Sequence, residues 1–154
     1  MAKISITTPD MTVALARQLR DLTCHKFTGG MRSALGRWRH KNKRLLVAVA
    51  WSRRVPVGWA CVHERRSPHV MCLDVYVRKP YRGRGLAISL VKTIVNRCLA
   101  LCPAVTHVHI RPSTAQGWRV YDRVLGMARV TAAKNDVVKI GPLTTQNNRS
   151  MVYI

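Results

Sequence analysis

The six residues Arg82-Gly83-Arg84-Gly85-Leu86-Ala87 constrain this chain more than any other segment. Before them runs a strand-like stretch, Met71 to Val77. After them Leu86, Leu90, Val91, Ile94, Val95, Cys98 and Leu99 recur at i, i+4, i+5, i+8, which is one face of a helix. A strand that enters a helix through a basic, glycine-rich turn makes an anion cradle. Glycine lowers the steric wall, the N–H groups of the first helical turn point outward, and the helix dipole adds partial positive charge. Such a turn can hold the pyrophosphate of any phosphorylated ligand. Spacing excludes two nucleotide classes. The chain has no Gly-x-x-x-x-Gly-Lys-Ser/Thr, so it is no P-loop NTPase. The dinucleotide fingerprint Gly-x-Gly-x-x-Gly fails because its third glycine falls on Ile88.

Read from Val77 through Arg78, Lys79, Pro80, Tyr81 and Arg82 to Ala87, the segment resembles the coenzyme A motif of the GNAT acetyltransferases. Their turn has the form Arg/Gln-x-x-Gly-x-Gly/Ala, which Arg82, Gly85 and Ala87 satisfy, and the Val and Pro-Tyr-Arg-Gly lead-in is present. The resemblance implies acetyl-CoA as cofactor, held by Val75, Tyr76, Val77, Arg82, Gly83, Arg84, Gly85, Leu86, Ala87 and Ser89. It also implies an α+β fold: a mixed, mostly antiparallel sheet of six to seven strands with helices on both faces. In that family the central strand and its neighbour splay apart and the gap receives the pantetheine arm.

At 154 residues the chain is expected to form one domain, 1–154, large enough for a proper core. No apolar run reaches the length that spans a membrane. Met1 to Asp10 lacks an apolar run, so no secretion signal is expected. Cys24, Cys61, Cys72, Cys98 and Cys102 form no Cys-x-x-Cys pair and leave one odd thiol, which fits a reduced, cytoplasmic interior.

Charge is the second constraint. Twenty-seven Lys and Arg against six acids give +21. Coenzyme A carries about four negative charges, too few to account for this excess. No acid stands between Asp21 and Glu64, while Lys26, Arg32, Arg37, Arg39, Lys41, Lys43, Arg44, Arg53 and Arg54 do. Such a stripe attracts an anionic surface, RNA or DNA above all, although general basicity serving solubility and a membrane surface stay open.

Ile4 to Thr7 reads as a strand, and Met11, Ala14, Leu15, Leu19 and Leu22 as a helix, with Thr8 or Asp10 as cap. Gly29-Gly30 breaks that pattern before a basic helix from Met31 to about His40. Leu45 to Trp51 and Val55 to His63 read as a hairpin turning at Arg53-Arg54. Arg65 to Pro68 is a further turn, and His69 to Val77 is the strand before the cradle. Cys102-Pro103 ends the cradle helix. Val105 to Ile110 alternates as a strand, and Pro112-Ser113-Thr114 opens a helix that Gly126 closes. Met127 to Ala133, Val137 to Ile140 and Ser150 to Ile154 read as strands.

The stretch from Arg111 to Tyr121 is similar to the family's second landmark, where an Asn, a helix and a Tyr precede Gly-Phe. The Asn position falls on Thr114, a further cofactor contact, and Gly-Phe becomes Gly126-Met127. Counted forward from the strand, Tyr121 takes the place of the general acid near the sulfur. Counted back from Gly126, one extra residue puts Asp122 there. Tyr121 is equally a helix tyrosine with its ring in the core.

The family's reaction is direct attack of an amine on the thioester in a ternary complex. It needs a backbone N–H near Val75 to Val77 for the oxyanion, and a proton acceptor. Asp74 is the acid on the central strand and Glu64 the one glutamate, so both are candidate bases. His63 or His69 through water, or no dedicated base, stays open. Cys72 is a candidate nucleophile or a packed thiol. Zinc on Cys98, Cys102, His107 and His109 would need convergence, and no metal is expected. Trp38, Trp51, Trp59 and Trp118 are read as core, with Trp38 between two arginines also placed to stack on a base.

The resemblance implies that the first two helices wall the acceptor site, and here they carry the basic stripe. The expected activity is therefore acetyl transfer to an anionic acceptor, an RNA-linked amine or a protein on nucleic acid. The other reading is a GNAT-fold module that binds nucleic acid with little or no catalysis. A homodimer is compatible with either.

Overall fold

Two neighbouring segments of the chain alternate side chains that need opposite partners, and this alternation builds a sheet covered on both faces. The computed structural model describes residues 3–22, 28–41, 43–64, 68–105, 107–110 and 150–153, together with 116, 117, 119, 120 and 123. The elements are β1 (Ile4–Thr7), α1 (Val13–Leu22), α2 (Thr28–Lys41), β2 (Leu45–Ser52), β3 (Val55–Glu64), β4 (Val70–Val77), α3 (Leu86–Leu101), β5 (His107–Ile110) and β6 (Ser150–Tyr153). Among the described residues the strands form one six-stranded sheet in the order β1-β2-β3-β4-β5-β6. Every pairing is antiparallel except β4 with β5.

Strand alternation sorts the core into two layers. Ala48, Ala60, Val62, Met71 and Leu73 face α3, against Leu90, Val91 and Ile94. Val47, Val49, Trp59 and Cys61 face the other way, against Leu15 and Leu19 of α1 and Ala34 and Leu35 of α2. Each fully buried Leu or Ile contributes about 1.5–3 kcal/mol. This is the expected α+β architecture with helices on both faces.

Gly58 lies tightly between β4 and α3. A Cβ there would lie 3.0 Å from Tyr76 O, 3.2 Å from Val77 Cγ2 and 3.3 Å from Leu90 Cδ1. Ser52 pairs with Val55, so Arg53 and Arg54 form the whole loop of the hairpin, both in the left-handed region at φ 49° and 69°. Primed turns of this kind follow the twist of the strands but favour Asn-Gly.

Two expectations are corrected. α2 begins at Thr28, so Gly29-Gly30 lie inside its first turn rather than breaking a helix. Glycine costs about 0.8–1.0 kcal/mol per helical position, and packing of Ala34 and Leu35 on the sheet offsets that cost. The cap of α1 is Thr12, whose Oγ1 accepts from Leu15 N–H at 3.1 Å, rather than Thr8 or Asp10. The strands expected over residues 127–133 and 137–140, and the turn at 65–67, lie outside the described residues. Among the described residues no helix is long and apolar enough to cross a membrane.

Candidate active site

The cradle takes its shape from two glycines. Gly83 and Gly85 have φ of 77° and 72°, a region that L side chains rarely adopt, with nothing crowding a Cβ at either position. The demand for glycine there is conformational. Gly85 is the N-cap of α3 and supplies no side-chain cap. The first intrahelical bond is Ser89 N–H to Gly85 O at 3.1 Å. The N–H groups of Leu86, Ala87 and Ile88 therefore have no acceptor within α3, at the positive end of a 16-residue helix dipole.

Beside the cradle, β4 has an open edge. Its pairing with β5 runs from Val70–His107 to Leu73–Ile110 and stops there, while β4 continues to Val77. Among the described residues no strand pairs with that edge of residues 74–77. Arg78 N–H donates to Val57 O at 2.9 Å, which makes Val77–Gly58 a non-hydrogen-bonded pair. Antiparallel ladders alternate, so Asp74 and Tyr76 turn their peptide groups to β3, and Val75 and Val77 turn theirs to the open edge. Arg82 Nε donates to Val77 O at 2.8 Å, with its guanidinium 5.8 Å from the Tyr76 ring centroid. Among the described residues, nothing pairs with Val75 N–H on that edge.

A cavity of about 390 Å³ joins these parts, lined by Val75, Tyr76, Val77, Tyr81, Arg82, Gly83, Gly85, Leu86, Ala87 and Ile88. Its far wall is helical, with Gln116, Gly117, Arg119, Val120 and Arg123. Residues 14–127 match the family described as Acetyltransferase (GNAT) family. The chain belongs to that family.

Solved GNAT structures share the fold. PaiA N-acetyltransferase from Thermoplasma acidophilum, in complex with coenzyme A, superposes with a TM-score of 0.59 at 10% identity, over 97% of this chain and 98% of that one. Aminoglycoside acetyltransferase AAC(6')-Ib with coenzyme A gives 0.60 at 17% identity, over 97% and 92%. YncA from Salmonella typhimurium, solved with acetyl-CoA, gives 0.60 at 13% identity, over 98% and 92%. No curated protein matches the chain in sequence.

The GNAT frame shows what the fold brings together. Residues directly opposite in an antiparallel pair share a face. Cys61–Asp74, His63–Cys72 and Trp59–Tyr76 are such pairs, on the face covered by α1 and α2. Asp74 is half-buried, its Oδ2 3.6 Å from Nδ1 of His63, which is 4% exposed. Trp59 and Tyr76 stack with centroids 6.2 Å apart.

Glu64 pairs with Met71 on the opposite, α3 face. Its Oε1 accepts from Lys43 Nζ at 2.6 Å. That bond holds its pKa below the ordinary carboxylate value. The sheet therefore separates Glu64 from Asp74. Arg84 and Ser89 stand outside the cavity lining: Arg84 lies over the Tyr81 ring, and the Ser89 hydroxyl donates to Gly85 O at 3.4 Å. Thr114 and Tyr121 lie outside the described residues.

Cys98 and Cys102 are buried in the α3 core with Val108, and the side chains of His107 and His109 lie outside the described ones. Trp59 is core, Trp38 and Trp51 are half-buried, and Trp51 Nε1 donates to Thr7 Oγ1 at 2.8 Å. Trp118 lies outside the described residues. Sequence reading named Tyr81 only as part of the motif lead-in and missed Arg119 and Arg123 as cavity lining. The two arginines are four apart in the expected helix, an i, i+4 pair of cations that was a legible signal.

Proposed function

We propose that this GNAT chain is an acetyl-CoA-dependent N-acetyltransferase whose amine acceptor is anionic or carried on nucleic acid. One observation carries the enzyme reading: a helix start with no side-chain cap, over two left-handed glycines, opens into the same cavity as residues 75–77 of β4, which no strand pairs on that edge among the described residues. The GNAT neighbours solved with coenzyme A or acetyl-CoA support it.

The residues fit the cofactor. Three helical N–H groups with Arg82 would hold the pyrophosphate, and Arg119 and Arg123 add positive charge across the cavity. Acetyl-CoA supplies an activated thioester carbonyl when bound. Val75 N–H would donate to the carbonyl oxygen as charge develops there, an interaction worth about 3 kcal/mol. Asp74 takes the proton from the attacking amine, and Tyr121 returns one to the departing sulfur. Glu64 is left as an ion-pair residue. Holding amine and carbonyl in line contributes on the order of 7–11 kcal/mol at best.

The acceptor class rests on charge. Arg17 and Arg20 on α1, with Arg39 and Lys41 on α2, are exposed on the helices over the Asp74 face. Repulsion disfavours a small cationic acceptor.

Calorimetry at low salt tests the reading. Wild type should bind acetyl-CoA with micromolar affinity, and the double change Arg82→Ala with Gly85→Glu should abolish binding. Aminoacyl-tRNA should then stimulate thiol release more than free amines do, and Tyr121→Phe should slow it. Absence of acetyl-CoA binding would overturn the enzyme reading and leave a GNAT-fold binding module.

A further inference from the structure

Cys61, His63, Cys72 and Asp74 occupy four adjacent positions on two paired strands, Cys61 opposite Asp74 and His63 opposite Cys72. All four fall on the same face of the sheet. The Sγ of Cys61, a ring nitrogen of His63 and a carboxylate oxygen of Asp74 lie within 4.8 Å of one another. Cys61 is fully buried, His63 nearly so, and Asp74 reaches solvent. We propose that these three residues form a binding site for a thiophilic divalent cation of the Zn²⁺ class.

The donor set selects the ion. Thiolate and imidazole favour zinc over magnesium or calcium, and a single carboxylate is a common third zinc ligand. Tetrahedral zinc with bonds of 2.0–2.3 Å places its donors about 3.3–3.8 Å apart. The Nδ1–Oδ2 separation of 3.6 Å already lies in that range. The Cys61 Sγ lies within 4.8 Å of both other donors. Paired strands also limit the cost, because the backbone is already fixed by the β3–β4 ladder.

Burial, with the Asp74 charge adding to it, pushes the Cys61 thiol well above its ordinary pKa. The ion-free thiol therefore keeps its proton, and binding must displace it to bulk water as the S–Zn bond forms. The inference does not depend on the acetyltransferase reading. If that reading holds, a bound ion takes the Asp74 carboxylate and Zn²⁺ inhibits the enzyme.

The test uses the full chain, stripped with a chelator, and the metal ion alone. Competition against a chromophoric chelator should show one tight equivalent of Zn²⁺. Co²⁺ should give a thiolate-to-metal charge-transfer band with tetrahedral visible absorption. Cys61→Ser should remove that band, and His63→Gln should weaken binding about tenfold or more. Asp74→Asn, at a half-buried position, should weaken it similarly, with the thermal melt of the ion-free protein as the check on folding. That variant keeps the test decisive if Cys61→Ser misfolds. Binding unchanged in Asp74→Asn and His63→Gln, cobalt without a charge-transfer band, or no tight equivalent would each overturn the site.

Discussion

Arg82 does two things at one position. Its Nε closes onto Val77 O at the end of β4, and its guanidinium lies over Tyr76 at the mouth of the cradle. Removing it deletes a charge-assisted hydrogen bond and a cation beside the proposed pyrophosphate site. Arg82→Ala alone should weaken acetyl-CoA binding about tenfold or more, read by calorimetry. Glu64 shows the opposite case, a residue whose chemistry is taken up by structure. Lys43 lowers its pKa in the folded state. A lowered folded-state value means stability that is present above the ordinary carboxylate range and lost as pH falls through the folded value. Glu64→Gln should therefore lower the urea midpoint at neutral pH. The difference from wild type should close in strong acid, where the native carboxylate is also protonated. A difference that persists unchanged into acid would show that packing, not the ion pair, is at stake.

The site depends on how closely α3 lies to the end of β4, and Gly58 controls that distance. The backbone of Tyr76 and the side chains of Val77 and Leu90 would crowd a methyl group at 3.0–3.3 Å, so one of them must give way. Gly58→Ala should destabilise the fold by about 1–3 kcal/mol, seen as a lower denaturation midpoint. It should also weaken acetyl-CoA binding, because the strain falls on the strand that carries Val75 and Val77. Most elements were legible from periodicity, since α1 and α3 each bury one regular face and the β2–β3 hairpin alternates apolar residues between two covered faces. The start of α2 was not, because the packing of Ala34 and Leu35 overrides two glycines whose local preference points the other way. The cap of α1 was missed for a related reason: Thr8, Asp10 and Thr12 are all plausible caps locally, and only the position of the first helical turn selects Thr12.

Across the whole molecule, the fold concentrates charge that the chain keeps apart. The hairpin loop Arg53-Arg54 lies at the same end of the sheet as Arg78, Lys79, Arg82 and Arg84, because Gly58 pairs with Val77 and Val57 O receives Arg78 N–H. All six cations are exposed. Two of them occupy left-handed backbone that non-glycine residues adopt at a cost of about 1–3 kcal/mol, and such strain concentrates at functional positions. Bulk tRNA, followed by fluorescence anisotropy, should bind with a log–log salt slope of about −3 or steeper, each phosphate contact contributing about −0.9. Arg53→Ser with Arg54→Ser should make that slope shallower and leave acetyl-CoA affinity unchanged. A flat salt response would remove the anionic-partner proposal.

The sequence by itself determined the cradle, the two-faced sheet and the excess of positive charge. Each of these is local or compositional: glycine where φ must be positive, alternation in strands, a surplus of cations. Only the tertiary structure decided which side chains meet. Register put Asp74 with His63, Cys61 and Cys72 on one face and sent Glu64 through to the other. A shift of one residue in that pairing would reverse the assignment, and no local preference of the chain encodes it.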